Sequence, residues 1–285
     1  LVAPVNSSEW LVACRAAAQE VRSLLESTGT IAERAIETGT RGEGGDRTLV
    51  IDAGAEEIIF AQLDRLHAGG LNFVAVSEER GEVDFGGGPL RVVIDPIDGS
   101  LNAKRGLPHH ALSIAVADGE EMADVRFGYV YDFGPAEEWW AASGGGAFLN
   151  GHRLDPTLGE RREPRDGKLE VLGIESADPR WVAHAAAALE ANAYRLRAMG
   201  TIASALCQVA AARLDALVSL RACRAVDAAA GQLIVREGGG VVLFPGFADP
   251  LAAPLDVVGH SQVVAARTRA TAEVLAEIGI AGASA

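Results

Sequence analysis

Apolar residues Trp10, Leu11, Ala13, Cys14, Ala17, Val21, Leu24 and Leu25 recur at helical spacing and predict helix over 9–38, with Ser7 or Ser8 as the cap and Gly29 as a candidate break. Ile58, Ile59, Leu63 and Leu66 share one face of a second helix over 55–67, stopped by Gly69-Gly70. The period then shortens. Strands are predicted at 72–76, at 91–94 where Pro96 stops the run, and at 111–117, 125–131 and 138–142. Asn150-Gly151 after Ala147-Phe148-Leu149 is a hairpin signal.

Residues 156–168 are polar and charged, with Pro156, Pro164 and Gly167, and read as a linker. Beyond them the pattern alternates: strand 169–174, helices 181–192 and 204–213, strand 216–218, helix 228–237, strands 241–243 and 263–265, and helix 268–278. Gly238-Gly239-Gly240 ends the third of these helices. Helices followed by consecutive strands, then alternation, predict an α+β domain over 1–155 joined to an α/β domain over 156–285.

Composition narrows the class. The 285 residues are 49% hydrophobic and only 5% aromatic, so the core rests on Ala, Val, Leu and Ile. Asp and Glu outnumber Lys and Arg by 39 to 25, a formal charge of −14 that repels a nucleic-acid backbone. No apolar stretch reaches membrane-spanning length without interruption. Cys14, Cys207 and Cys223 are widely spaced and form no CxxC pair. Free thiols in a reducing compartment follow, and with no basic-then-apolar leader the expected location is cytoplasmic.

The candidate chemistry sits in Asp95-Pro96-Ile97-Asp98-Gly99-Ser100, directly after an apolar strand. The turn at Pro96 lets two carboxylates converge, and the Ile97 carbonyl adds a hard oxygen suited to Mg2+. Gly99 permits close backbone approach, and a helix starting near Ser100 would present its amides to an anion. Taken alone, such a segment also reads as an acidic turn capping a helix. Glu78, at another strand end, reads alone as a surface turn, and Asp227, before a helix, as an N-cap. Thr48 and Asp52 lie beside a Gly-rich loop over 41–46.

Together these segments resemble the inositol monophosphatase superfamily, the lithium-sensitive, Mg2+-dependent sugar phosphatases. The resemblance is carried by Asp46-Arg47-Thr48-Leu49-Val50-Ile51-Asp52, Val76-Ser77-Glu78-Glu79, Ile94-Asp95-Pro96-Ile97-Asp98-Gly99-Ser100-Leu101-Asn102, Gly146-Ala147-Phe148-Leu149-Asn150-Gly151 and Asp227-Ala228-Ala229-Ala230-Gly231 with Glu237-Gly238-Gly239. It implies a five-layer α-β-α-β-α sandwich and a homodimer. It implies two or three Mg2+ ions: Glu78, Asp95 and the Ile97 carbonyl for one, Asp95, Asp98 and Asp227 for a second, and a weaker ion near Glu78 and Asp52. Asp52, Ser100 and Glu78 become the catalytic group. Asp52 and the Ser100 hydroxyl orient and deprotonate a metal-activated water. Gly99, Ser100, Arg197, Gly200, Thr201, Ser219 and Asp227 line the substrate.

The implied activity is phosphomonoester hydrolysis on inositol monophosphate or a related phosphorylated polyol or sugar. Two departures stand out. Val226 replaces the Trp usual before the distal Asp, and no acid follows Ser219, where inositol phosphatases of the family carry a Glu for substrate hydroxyls; Leu220 stands there. Fructose-1,6-bisphosphatase is therefore the near alternative. A nucleotide 3′-phosphatase is disfavoured by the few aromatics, and a catalytically silent binding protein by the complete set of ligands. His109 and His110 read as packing or surface residues.

Overall fold

The computed structural model describes residues 5–43 and 47–283. Asp46, the first residue of the quoted motifs, and part of the Gly-rich loop over 41–46 lie outside the described residues.

The helical run predicted over 9–38 breaks near Gly29, as expected, and gives way to a strand before its predicted end. It forms α1 (Ser7–Ser27) and the short α2 (Ile31–Arg34), then turns into β1 (Glu37–Arg41) paired with β2 (Arg47–Leu49). Thr30 caps α2 with a reciprocal Glu33 contact, so the new start at Thr30 rather than Gly29 alone makes the break. Next come α3 (Val50–Ala68), β3 (Phe73–Ser77), β4 (Gly81–Phe85), β5 (Leu90–Asp98), α4 (Ser100–Arg105), β6 (Ala111–Ala117), β7 (Val125–Asp132), β8 (Glu137–Ala142), β9 (Gly146–Leu149) and β10 (His152–Arg153). Strands β3 to β10 make one eight-stranded sheet in the order β10-β9-β8-β7-β6-β5-β3-β4. Asn150 and Gly151 both take positive φ in the tight β9–β10 turn, as the hairpin signal predicts.

The second half supplies β11 (Leu169–Glu175), α5 (Pro179–Asn192), β12 (Ala193–Arg197), α6 (Ile202–Ala210), β13 (Ala216–Ser219), α7 (Ala225–Glu237), β14 (Val241–Leu243), β15 (Val264–Ala266) and α8 (Arg269–Ala283). Its five strands form a second sheet in the order β12-β11-β13-β15-β14.

Helices α1 and α3 cover one face of the large sheet, α6 and α7 fill the space between the sheets, and α5 with α8 cover the far face of the small one. This is the five-layer α-β-α-β-α sandwich. The middle layer explains the alanine enrichment. All of α6 and Ala225–Val235 of α7 are buried, because both helices meet a sheet on either side. Small side chains bring the layers close. A Cβ on Gly128 of β7 would stand 2.7 Å from the Ala230 carbonyl of α7.

Two expectations change here, and both matter for the site. Pro96 does not end its strand: β5 runs on to Asp98, with a register irregularity against β6 between Asp95 and Asp98 that absorbs the missing N–H. The helix expected at 228–237 starts earlier, at Ala225, so Asp227 is its third residue and Arg224 its N-cap.

Candidate metal centre and active site

Three carboxylates arrive at neighbouring strand ends. β3 and β5 run parallel and in register, with Ser77 opposite Ile94, so Glu78, just past the end of β3, comes beside Asp95 within β5. Asp98 follows at the end of β5, and α7 delivers Asp227 from the middle layer. Oxygens of Asp95, Asp98 and Asp227 lie within 4.8 Å of one another, and all three residues are buried. Asp52, the third residue of α3, joins from another side. It lines a cavity of 330 Å³ with Glu78, Glu79, Asp95, Asp98 and Ser100.

Each acid is held by a local bond. Asp95 Oδ1 accepts the Ile97 N–H at 3.0 Å. Asp98 Oδ2 accepts the Thr201 hydroxyl at 2.5 Å and the Ala203 N–H at 2.6 Å. Asp227 Oδ2 accepts the Arg224 N–H at 3.0 Å, the reverse of the simple N-cap role. Asp52 Oδ2 accepts the Leu49 N–H at 3.3 Å, while its buried Oδ1 has no hydrogen-bond partner among the described residues. The Ser100 hydroxyl donates to the Ile97 carbonyl at 2.9 Å.

Electrostatically the cluster is under-compensated. Burial pushes the Asp52 carboxyl up to about 7, against the pull of the Leu49 N–H, with the charges of Glu79 and Glu78 adding to the rise. Burial likewise raises Glu78 to about 7, opposed by Arg224. Asp95 and Asp98 are shifted well upward, by burial first and then by the neighbouring acids. Carboxylates packed this way need cations. The donor set is all oxygen, the chemistry that suits a hard divalent ion, and Asp52, whose buried Oδ1 has no hydrogen-bond partner among the described residues, lines the same cavity. The residues present therefore fit a metal centre.

Gly99 caps α4 with φ of +88°, a conformation that favours glycine, and a Cβ there would stand 3.0 Å from the Gly200 carbonyl and 3.1 Å from that of His109. The 198–201 segment is thus pressed against the turn at Gly99. Gly200 and Thr201 line a second cavity of 280 Å³ with Asp98 and Asp227.

Not every predicted contact is brought in. Ser219 is fully buried; its hydroxyl donates to the Arg221 carbonyl at 2.8 Å and accepts the Val263 N–H at 2.9 Å, and it lines neither cavity. Arg197 ends the exposed strand β12 and lines a separate cavity of 610 Å³ that meets the second one at Ala198. His109 contacts Asp132 at 3.1 Å, and His110 is buried and stacks on Phe133, in keeping with packing roles.

Two site residues escaped the sequence reading. Glu175 ends β11 as Glu78 follows β3, and that repetition of an acid at the end of an apolar strand was the available signal. Its carboxylate accepts the Met199 and Gly200 N–H groups, each at 2.9 Å, and burial raises it to about 7. The other is Arg224, which gave no signal beyond its spacing from Asp227.

The sequence model of the inositol monophosphatase family matches residues 6–279. The chain belongs to the inositol monophosphatase family. A fructose-1,6-bisphosphatase/inositol-1-monophosphatase of Thermococcus kodakarensis is 38% identical over 199 residues, 70% of each chain. The Nus factor SuhB of Escherichia coli is 32% identical over 211 residues, 73% of this chain and 75% of the other. Among solved structures, a protein described as inositol monophosphatase-fructose 1,6 bisphosphatase superposes with a TM-score of 0.79 at 26% identity, covering 94% of this chain and 99% of that one. The extragenic suppressor protein SuhB of Bartonella henselae gives 0.75 at 26% identity, over 97% and 98%. This member of the inositol monophosphatase family is a phosphatase, a phosphoric monoester hydrolase. The family is metal-dependent, which agrees with the acid cluster. No helix among the described residues is long and apolar enough to cross a membrane.

Proposed function

We propose that the chain is an Mg2+-dependent phosphomonoesterase acting on inositol monophosphate or a related sugar phosphate. The observation that carries this reading is the convergence of buried Asp95, Asp98 and Asp227 beside Glu78 and Asp52. Glu78, Asp95 and the Ile97 carbonyl are the donors for one Mg2+, and Asp95, Asp98 and Asp227 those for a second. Asp52 with Glu78 serves a weaker third. When bound, the ions act as Lewis acids on the phosphoryl oxygens and depress the pKa of the attacking water.

The chain's own groups do the rest. Asp52 Oδ1 has no hydrogen-bond partner among the described residues, so it is the oxygen that takes the proton of the attacking water. The Ser100 hydroxyl shares the cavity and orients the water with it. Backbone amides of Gly99 and Ser100 hold phosphate oxygens. Thr201 and Gly200 wall the leaving-group side next to Asp227.

Fructose-1,6-bisphosphate is the second reading. Leu220, fully buried, offers no acid for inositol hydroxyls, and the cavity carrying Arg197 adjoins the site at Ala198. A substrate panel read by released phosphate, with and without Mg2+ and with lithium, tests both. Preference for the bisphosphate selects the second reading, and hydrolysis of no phosphomonoester removes the enzyme reading altogether.

The same reading includes domains at 1–155 and 156–285, supported by the division of the two sheets at the 156–168 linker. It includes a cytoplasmic location, supported by three buried free thiols. It also includes a homodimer, supported by the edge strand β12 with exposed Tyr194 and Leu196. Light scattering of the purified chain tests the dimer.

A further inference from the structure

Glu78 and Asp227 are joined by one side chain. Arg224 donates from Nη1 to Glu78 Oε1 at 2.6 Å, from Nη2 to Asp227 Oδ1 at 3.1 Å and from Nε to Asp227 Oδ2 at 3.4 Å. It lines both acid-rich cavities and is the only basic residue among the described residues lining them. Its place is fixed from below. The Arg224 N–H caps onto Asp227, so the guanidinium and the carboxylate it binds are set by the same helix start. Glu78 is absent from the group of mutually close carboxylates formed by Asp95, Asp98 and Asp227, and its carboxylate pairs with the guanidinium instead.

Arginine is suited to this position. It stays charged at any working pH, and its planar fork reaches two carboxylates at once. A divalent ion taking oxygens from Glu78 or Asp227 would lie against that fork, and two cations on shared carboxylates repel.

We propose that Arg224 is a resident cation that competes with the divalent ion for Glu78 and Asp227, stabilising the metal-free cluster and setting the concentration at which it loads. The inference rests on the divalent-ion reading above. Without Arg224 the acids face one another with less compensation, so the metal-free protein is weaker. The same acids are then freer to take an ion, so affinity rises.

The test uses the full chain, stripped with EDTA and titrated with Mn2+ by calorimetry, with thermal melts in EDTA and in saturating Mn2+. The R224Q variant should bind Mn2+ at least about tenfold more tightly than wild type, equivalent to about 1.4 kcal/mol. It should melt lower in EDTA, with the gap closing in Mn2+. R224K keeps a charge but not the fork, and should fall between the two; if R224Q does not fold without metal, R224K decides. Equal or weaker Mn2+ binding by these variants overturns the competition. D95N separates the two ideas. Wild-type binding that D95N abolishes and R224Q leaves unchanged keeps the metal centre and removes only the role of Arg224. A wild type that takes up no Mn2+ overturns both.

Discussion

The Thr201 hydroxyl donates to Asp98 Oδ2 at 2.5 Å and ties residues 103 positions apart. Asp98 ends strand β5 of the large sheet, and Thr201 caps the middle-layer helix α6, where it also accepts the Ser204 N–H at 3.3 Å. One hydroxyl thus fixes a carboxylate and starts a helix.

Thr201→Val should therefore lower turnover by about 10²-fold, the scale of loss when a reacting group shifts by an ångström. It should also destabilise the fold by about 1 kcal/mol through the lost cap. Thr201→Ser should restore both. Steady-state kinetics in Mg2+ and thermal melts check this, and wild-type turnover in the valine variant would show that Asp98 needs no such tether.

Asp95→Asn and Asp98→Asn should each reduce turnover by roughly 10²-fold or more, as expected when several kcal/mol of metal-derived stabilisation is lost. In EDTA, Asp95→Asn should melt no lower than wild type. The amide oxygen can still accept the Ile97 N–H, and a like charge has left the cluster. Phosphate release and melting curves in the same buffer decide it; near-wild-type activity in either variant would contradict the metal assignment.

The pH dependence follows from Asp52, Glu78 and Glu175, each raised to about 7 from ordinary values of 3.8, 4.5 and 4.5. An acid with a raised folded pKa keeps its proton longer in the native state, so native stability is favoured below the ordinary value and lost as pH rises toward 7. In EDTA the contribution of these groups should decline from about pH 4 to pH 7. Mg2+ should offset the decline by neutralising the ionised cluster. Melting temperatures across that range, with and without Mg2+, should diverge as pH rises; parallel curves would mean the acids are compensated without metal.

Glu175→Ala should destabilise the chain by about 1–3 kcal/mol for each stranded donor, because the Met199 and Gly200 N–H groups lose their acceptor. Those residues lead into Thr201, so turnover should fall as well. Glu175→Gln keeps one acceptor and should recover most of both. Urea unfolding together with kinetics provides the check, and an alanine variant of unchanged stability would place the loop's support elsewhere.

Much of the fold was legible because burial writes itself into residue pattern. Strands at 111–117 and 125–131 read directly, since both are nearly all apolar and lie between helical layers. β4 and β12 did not. Gly81–Phe85 carries alternating charge beside a hairpin, and Ala193–Arg197 is an exposed edge, so neither offers an apolar run. Their strand form comes from a partner's free hydrogen-bonding edge. The early start of α3 was hidden for another reason. Val50 and Ile51 look like strand residues, and it is Asp52 accepting the Leu49 N–H that turns them into a first helical turn.

Sequence alone determined which acids exist, the order of the strongly apolar elements and the family likeness, because helix and strand periods and the Asp95–Ser100 motif are local properties of the chain. Only the tertiary structure decided that Asp227 meets Asp95 and Asp98, that Ser219 is locked inside the β13 turn, and that Arg224 stands between Glu78 and Asp227. Those outcomes depend on stacking a helix layer between two sheets. Contact across layers is a matter of packing distance and charge balance, which no local pattern along the chain encodes.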